Sequence, residues 1–98
     1  MIEIRQTDTF REWLLSLRDA RAKQKIASRI QRLRFGNPGD VKPVGAGVSE
    51  MRINEGPGYR VYFVQRGSVL VVLLCGGTKR RQQADIEQAK RLAAEMEG

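Results

Sequence analysis

Histidine is absent from this sequence of 98 residues, and cysteine occurs once, as Cys75. Without histidine, neither a zinc site built from two cysteines and two histidines nor a Ser-His-Asp triad can form. A single cysteine cannot close an internal disulfide, and a catalytic thiol normally needs a base such as histidine. Cys75 lies in an apolar segment, so we interpret it as a small buried hydrophobe. Any acid–base chemistry must therefore use Lys, Arg, Tyr, Asp or Glu.

Long hydrophobic runs are also missing. No stretch of about 18 apolar residues is present that would span a membrane. The N-terminal sequence "MIEIRQTDTF" lacks the pattern of a secretory signal peptide. Together with the single cysteine, these absences predict a cytoplasmic protein. The length fits one domain, residues 1–98, that can bury a core of its own.

Acidic residues are scarce relative to basic ones. Eleven aspartates and glutamates stand against 18 lysines and arginines, so the formal net charge is +7 and the pI is about 10.3. This excess indicates a polyanionic partner, which is nucleic acid, an acidic protein or an anionic membrane surface. Residues 20–39 hold six cations and no acid. Mixed-sign pairs usually stabilise a surface helix, so a helix without acids is unusual, and a solvated face opposite the core is the alternative to a binding surface.

Hydrophobic spacing predicts an α+β domain with the element order β-α-α-β-β-β-α. The first six residues alternate as in a half-buried strand, and Thr9 with Glu12 has the spacing of a helix capping box. Apolar residues at helical spacing then predict two helices, which end at the terminators Gly36 and Pro38. These helices are close enough in sequence to form a helical hairpin.

Strand patterns follow the second helix. Three strands and a C-terminal helix are predicted, over residues 48–53, 59–64, 68–75 and 82–97. Segment 41–47 is a candidate edge strand, because Pro43 cannot donate to a central ladder. Short turns between consecutive strands predict an antiparallel sheet packed against the helical hairpin. The last strand, "SVLVVLLC", is apolar on both faces, so we expect it to be central and covered on both sides.

The stretch "LLCGGTKRRQQ" (residues 73–83) invites interpretation as a phosphate-binding loop. That loop needs a different glycine spacing and a Ser or Thr directly after its lysine. Here Thr78 precedes Lys79 and no hydroxyl residue follows, so the interpretation fails. We expect instead that Gly76 and Gly77 let the strand end and turn with little steric cost.

Basic residues recur around the predicted sheet. Arg52 and Arg60 lie on the polar faces of successive strands, and Lys79 follows the third. If these strands are neighbours, the three cations converge on one concave surface, where they would hold a phosphodiester and stabilise its transition state. A scatter of unrelated surface cations is the alternative. Tyr62 shares the predicted face of Arg60, so it either stacks on an exposed base or packs in the core with a bonded hydroxyl.

Several motifs and the order of elements resemble the RelE/ParE superfamily of toxins from toxin–antitoxin modules. The motifs are "FREWLLSLRD", "RIQRLRFGNPGDVKPVGAGVSEMRI", "GPGYRVYF" and "VLLCGGTKRRQQADIEQAKRLA", which cover nearly the whole chain. The pair "GPGYRVYF" and "LLCGGTK" is most similar to the HigB-like branch, the "addiction module killer" proteins.

The resemblance implies a RelE-like fold and a toxin that cuts mRNA in the ribosomal A site, with the 2′-hydroxyl attacking the adjacent phosphate and with no metal or cofactor. An arginine of the family's "GYR" motif matches Arg60, and a basic residue after the last strand matches Lys79. Arg81 and, by a looser match, Arg52 complete the implied catalytic set. The basic second helix is similar to one that docks on ribosomal RNA. The expected RNA-binding residues are Tyr62, Lys23, Lys25, Arg29, Arg32 and Arg80.

One position departs from the family pattern. RelE-type toxins often carry a C-terminal tyrosine, or a histidine in HigB-type members, as an acid–base group, whereas the matching position here is Asp85. Either Lys79, Glu50 or Tyr62 then moves the proton, with positioning and charge stabilisation dominating, or cleavage is slow or absent. A ParE-like inhibitor of DNA gyrase that does not cut RNA is the second hypothesis. A non-toxic nucleic-acid-binding module is the third.

The resemblance also implies partners. These are the ribosome with its mRNA and a cognate antitoxin, either acidic or of helix-turn-helix type, through which the complex would bind DNA. A largely disordered acidic antitoxin segment would complement the net charge of +7.

Overall fold

The computed structural model describes residues 1–96, and the elements in that part of the chain confirm the α+β class. In chain order they are β1 (Glu3–Gln6), α1 (Asp8–Ser16), α2 (Ala20–Arg34), β2 (Val41–Gly45), β3 (Val48–Ile53), β4 (Tyr59–Arg66), β5 (Leu70–Thr78), a 3₁₀ turn (Lys79–Arg81) and α3 (Gln82–Met96). The candidate edge strand is present as β2, so the sheet has one strand more than the predicted order. Residue 97, the last of the predicted C-terminal helix, lies outside the described residues.

The five strands form one mixed sheet in the order β1-β5-β4-β3-β2. β2 to β5 pair antiparallel with their sequence neighbours, as expected, but β1 pairs parallel with β5. A parallel pair requires a long crossover, and here the chain makes α1, α2 and three strands before it returns to β1. The alternating pattern of β1 does not specify which strand it pairs with, so the sequence did not reveal this parallel edge.

One face of the sheet packs against α1 and α2. Phe10 and Ile26 are fully buried on these helices and meet Met51, Val61 and Val71 from the strands. Apolar stripes at helical spacing thus cover alternate positions of the strands.

The other face packs against α3. Ala89 on α3 is buried together with Val48, Leu74 and Cys75. β5 is therefore covered on both sides, as its continuous apolar sequence predicted. Burial, with a smaller contribution from Asp85, raises the pKa of the Cys75 thiol to about 12, which fits the interpretation of Cys75 as a packing residue.

The start of α1 differs from the predicted capping box. Thr7 is the cap: its Oγ1 accepts a hydrogen bond from the backbone N–H of Phe10 at 3.0 Å and donates one to the carbonyl of Leu74 at 2.5 Å. The assignment of the cap to Thr9 with Glu12 is wrong, because β1 ends at Gln6 and leaves Thr7 extended directly before the helix.

The two glycines of β5 lie inside the strand, which continues to Thr78. A Cβ on Gly76 would overlap the ring of Trp13 from α1, and a Cβ on Gly77 would overlap the carboxylate of Asp85 from α3. The expectation that these glycines end the strand is therefore wrong. They allow a helix side chain to approach the backbone closely on each face of the sheet.

Candidate functional site

The ends of three inner strands meet at one end of the sheet. β3 ends there, β4 begins there, and β5 runs into the 3₁₀ turn. Arg52 lies directly opposite Arg60, and Arg60 lies opposite Gly77. Lys79 is the first residue after β5. Antiparallel pairing thus brings together cations that are distant in sequence.

A cleft of about 300 Å³ opens at this end of the sheet. Arg52, Arg60 and Lys79 all line it, and its other lining residues are Asp40, Ile53, Asn54, Gly58 and Tyr59. Its volume is at the lower end of the range for small-ligand sites, which suits a phosphate group and its neighbouring sugars. The cleft therefore presents three cations and one carboxylate to the same small volume.

The carbonyl of Gly58 connects two of these cations. It accepts a hydrogen bond from Nη1 of Arg60 at 3.0 Å and another from the backbone N–H of Lys79 at 2.9 Å. Gly58 has a φ of +79°, a left-handed conformation that glycine adopts with little cost. The turn "NEGPG" therefore sets the spacing of Arg60 and Lys79, although its sequence identifies it only as a turn.

A buried carboxylate supports both arginines. Glu50 on β3 is fully buried. Its Oε1 accepts from Nε of Arg52 at 3.1 Å, and its Oε2 accepts from the Tyr62 hydroxyl at 3.1 Å and from Nε2 of Gln82 at 2.8 Å. Nε of Arg60 lies 3.6 Å from the same Oε2. Glu50 thereby offsets the repulsion between two arginines that face each other across β3 and β4.

These contacts determine the protonation state of Glu50. Burial by itself would raise its pKa. The hydrogen bonds from its three donors and the charge of Arg60 together outweigh burial, so the pKa of Glu50 lies below its ordinary value. Glu50 is therefore an ionised acceptor with hydrogen bonds to both of its oxygens, better suited to holding Arg52 and Arg60 than to taking a proton from a substrate.

Tyr62 cannot perform the base stacking that its position in the sequence suggested. Its side chain is fully buried on the α3 side of the sheet. Burial, followed by the charge of Glu50, raises the pKa of Tyr62 well above its ordinary value. The alternative of a packed core tyrosine with a bonded hydroxyl describes it correctly, and its assignment to RNA binding is wrong.

Lys79 and Asp40 are the exposed ionisable groups of the cleft. Lys79 was one of three candidates for proton transfer, and the other two, Glu50 and Tyr62, are buried. The backbone carbonyl of Asp40 accepts from the N–H of Arg52 at 3.0 Å, which fixes Asp40 beside β3. Sequence reasoning missed Asp40, because the residues after the second helix were identified only through the terminators Gly36 and Pro38.

The other two cations after β5 lie outside the lining of the cleft. Arg80 and Arg81 are exposed on the 3₁₀ turn. Asp85 is buried at the start of α3 against Gly77. Burial raises the pKa of Asp85, and the charge of Arg81 partly counteracts it. Asp85, at the position where RelE-type toxins often carry a tyrosine, is thus a packing residue, and α3 contributes none of the residues that line the cleft.

The cations of α2 divide between two sides of the helix. Lys25, Arg29 and Arg32 line a second cavity beside the end of β3, together with Ser28, Ile53 and Asn54. Another groove, against β1 and α1, is lined from α2 by Ala27, Ile30, Gln31 and Arg34. By its helical spacing, Lys23 lies on the same side of α2 as Ala27 and Arg34. The expected RNA-binding residues of α2 therefore do not share one surface.

Arg29 braces the loop that precedes β2. Its Nη1 donates to the carbonyl of Arg52 at 2.5 Å, and its Nη2 donates to the carbonyls of Pro38 at 3.0 Å and Asp40 at 3.4 Å. Burial lowers the pKa of Arg29. The guanidinium thus ties α2 both to Asp40, directly before β2, and to Arg52 on β3.

Within residues 1–96, no helix has the length and apolar character needed to cross a membrane. The same part of the chain contains no group of three or more His, Cys, Asp or Glu side chains that could hold a metal ion.

The fold and the cleft define a small basic α+β protein with a cationic site at one end of its sheet. Residues 12–96 match a family described as "Phage derived protein Gp49-like (DUF891)", and the chain belongs to this Gp49-like family. An uncharacterized protein of Haemophilus influenzae is similar to it, with 56% identity over 95 residues, which is 97% of this chain and 96% of that protein. The matched segment includes every residue that lines the cleft.

Proposed function

We propose that this protein is the toxin of a type II toxin–antitoxin module and that it cuts mRNA on the ribosome. The convergence of Arg52, Arg60 and Lys79 on one cleft carries the proposal. Three cations around so small a volume suit a single phosphodiester, whose negative charge grows in the transition state. Within the Gp49-like family, we assign the chain to the RelE/ParE superfamily and its HigB-like branch, on the order of elements and the pair "GPGYRVYF" and "LLCGGTK".

The proposed reaction is an internal transfer at the phosphate. The 2′-hydroxyl oxygen bonds to the adjacent phosphorus while the bond to the 5′-oxygen breaks, which leaves a 2′,3′-cyclic phosphate and a 5′-hydroxyl. Arg60 and Lys79, spaced by the Gly58 carbonyl, would hold the non-bridging oxygens, and Arg52 would add a third positive charge. Preformed donors of this kind need no reorganisation when the charge develops.

Two exposed groups can move the protons of this reaction. Asp40 would accept the proton of the 2′-hydroxyl, and Lys79 would donate one to the departing 5′-oxygen. Both line the cleft, whereas Glu50 and Tyr62 are buried and hydrogen-bonded to each other. Proton transfer of this kind typically contributes about 10²- to 10⁴-fold to a rate.

Substitutions at Lys79 and Arg80 test the proposal in cells. Both side chains are exposed on the same 3₁₀ turn, but only Lys79 lines the cleft. We predict that wild-type protein and Arg80→Ala arrest growth and produce new mRNA 5′ ends at A-site positions, while Lys79→Ala does neither. Matched expression of the three folded proteins is the control. Equal toxicity of Lys79→Ala and Arg80→Ala would overturn the assignment of the cleft.

The buried position of Asp85 favours a second candidate, a ParE-like inhibitor of DNA gyrase. The family's acid–base tyrosine is replaced by a residue that packs against Gly77, and a protein that only binds its target needs no such group. The same induction experiment separates the two functions. DNA breaks with intact mRNA would support gyrase inhibition, and A-site cuts with intact DNA would support RNA cleavage.

We further propose an acidic antitoxin segment as the partner of the groove between β1, α1 and α2. Ile4, Phe10 and Ile30 give this groove apolar walls, and Arg5 and Arg34 lie along it. An amphipathic acidic segment complements both features. In this proposal the antitoxin also links the complex to DNA. Copurification with the product of a neighbouring gene is expected, and Ile30→Glu together with Arg34→Glu should abolish it without unfolding the toxin.

A further inference from the structure

The cavity beside α2 adjoins the cleft. Ile53 and Asn54 line both of them, so the two share a wall at the end of β3. The cavity beside α2 has a volume of about 370 Å³, comparable to the cleft. We call the two together the extended groove. It runs from Lys79 and Arg60 at one end, past Asn54, to Lys25 and Arg32 at the other.

We propose that the α2 half of the extended groove binds the sugar–phosphate backbone of the same single-stranded RNA whose cleaved phosphate lies in the cleft. This inference rests on the proposed function for the identity of the ligand as RNA. It assigns Lys25 and Arg32 to the substrate strand, in contrast to the docking of the whole helix on folded ribosomal RNA.

Helix geometry separates these two cations from Lys23 and Arg34. The residues of α2 that line the cavity have the spacing of one helix face: Lys25, Ser28, Arg29 and Arg32. Lys25 and Arg32 are seven residues apart, a rise of about 10 Å along the axis. They are therefore placed to meet separate phosphates along a strand. Lys23 and Arg34 belong to the face that turns towards β1 and α1.

The two cations are available for a ligand. Lys25 and Arg32 are exposed, and Lys25 has one ion pair, to Glu55, with 3.6 Å between Nζ and Oε1. The Glu55 side chain is only 18% exposed, but the 3.6 Å separation is longer than a hydrogen bond, so a phosphate can compete with Glu55 for Lys25. Arg29 is committed to the carbonyls of three residues, and we therefore assign it to the wall of the groove.

Asn54 occupies the junction of the two cavities. It is exposed and follows β3 directly. Its side-chain amide offers both donors and an acceptor, which suits the base or ribose between two bound phosphates. Because Ile53 and Asn54 line both cavities, we assign the two cavities to one strand.

Binding of short RNA by the full-length protein tests the inference. The probes are a fluorescent dinucleotide, which can fill only the cleft, and a hexanucleotide, which can also reach α2. Both carry 2′-O-methyl groups to prevent cleavage. The wild-type protein should bind the hexanucleotide more tightly than the dinucleotide. The ratio of the two affinities, which we call the length gain, is the measured quantity.

Lys25→Ala/Arg32→Ala should bind the dinucleotide as the wild type does and lose most of the length gain. Its slope of log K against log salt for the hexanucleotide should be smaller by about 1.4, which corresponds to two phosphate contacts on a single strand. Lys23→Ala is the matched control on the same helix and should retain the length gain. Thermal unfolding confirms that the variants are folded.

The inference is overturned if the double variant keeps the length gain, if Lys23→Ala loses it equally, or if the wild type shows none. Cleavage by the wild type together with a length gain that survives in the double variant would contradict the inference and leave the proposed function standing. A length gain that depends on Lys25 and Arg32 in a protein that never cleaves RNA would contradict the proposed function and support the inference.

Discussion

At the scale of single residues, the site depends on a buried charge that lies outside the lining of the cleft. Glu50 is buried beneath Arg52 and Arg60, and it also accepts from Tyr62 and Gln82. Two guanidinium groups on facing strand positions repel each other. A carboxylate between them allows both to remain charged while Arg60 is almost wholly buried. Glu50 is therefore a positioning residue for the cations of the cleft.

Substitution of Glu50→Gln tests this role through stability. Removal of one partner from a buried ion pair leaves the other charge uncompensated, so we predict a loss on the order of 3 kcal/mol in the free energy of unfolding at pH 7. Chemical denaturation measures it, with the exposed Glu87→Gln as the matched control.

The pH dependence of that loss has a defined sign. Because the pKa of Glu50 is lowered in the folded state, its contribution is present above the unfolded-state pKa of about 4.3 and disappears as the pH falls through the lower folded value. The difference between wild type and Glu50→Gln should thus shrink below about pH 4. Equal stability of the two proteins at pH 7 would contradict the positioning role.

Asp40 offers a second test at this scale. Asp40→Asn keeps the shape of the side chain and the backbone carbonyl that accepts from Arg52, but it removes the proposed base. We predict a cleavage rate about 100-fold lower with RNA affinity unchanged or slightly higher, because a negative charge leaves the cleft. Single-turnover rates on programmed ribosomes measure the effect. An unchanged rate would exclude Asp40 as the base.

At the scale of elements, β5 organises the molecule. It is covered on both faces, and its glycines admit Trp13 on one side and Asp85 on the other. Its end delivers Lys79 to the cleft, so the docking of α1 and α3 on β5 also fixes one wall of the site. Close packing of this kind transmits small displacements, because protein interiors have few voids.

Gly76→Ala tests this arrangement. The added methyl group would overlap the Trp13 ring, so we predict a destabilisation of about 1–3 kcal/mol, as for overpacked cores. Equilibrium denaturation measures it. In a double-mutant cycle, Trp13→Leu should restore part of the loss, because the smaller side chain makes room for the methyl group. Strict additivity of the two substitutions would contradict the proposed contact.

The sequence predicted the elements better than their arrangement. Periodicity identified the helices, the central position of β5 and the edge strand at Pro43, because these depend on local patterns. The parallel pairing of β1 and the packing role of Gly76 depend on contacts between distant segments, which leave no local pattern. The same holds for the site: Arg52, Arg60 and Lys79 were found as cations near strand ends, whereas Asp40 and the buried environment of Tyr62 required the assembled fold.

At the scale of the whole molecule, the net charge of +7 is distributed unevenly. Cations line the cleft and its extension along α2, while Arg5 and Arg34 flank the groove on the opposite side of α2. Two distinct cationic surfaces suit the two polyanionic partners proposed above, an RNA and an acidic segment. The self-repulsion that such a charge imposes on the free protein would be relieved by either partner.

The central claim is that the cleft catalyses attack of a 2′-hydroxyl on the adjacent phosphate. Its most direct test is the cleavage of an mRNA bound to purified programmed ribosomes, with either ribose or a single 2′-deoxyribose on the 5′ side of the scissile phosphate. We predict that the wild-type protein cuts the ribose substrate, leaves a 2′,3′-cyclic phosphate and fails on the 2′-deoxy substrate. Equal cleavage of both substrates, or cleavage of neither, would contradict the claim.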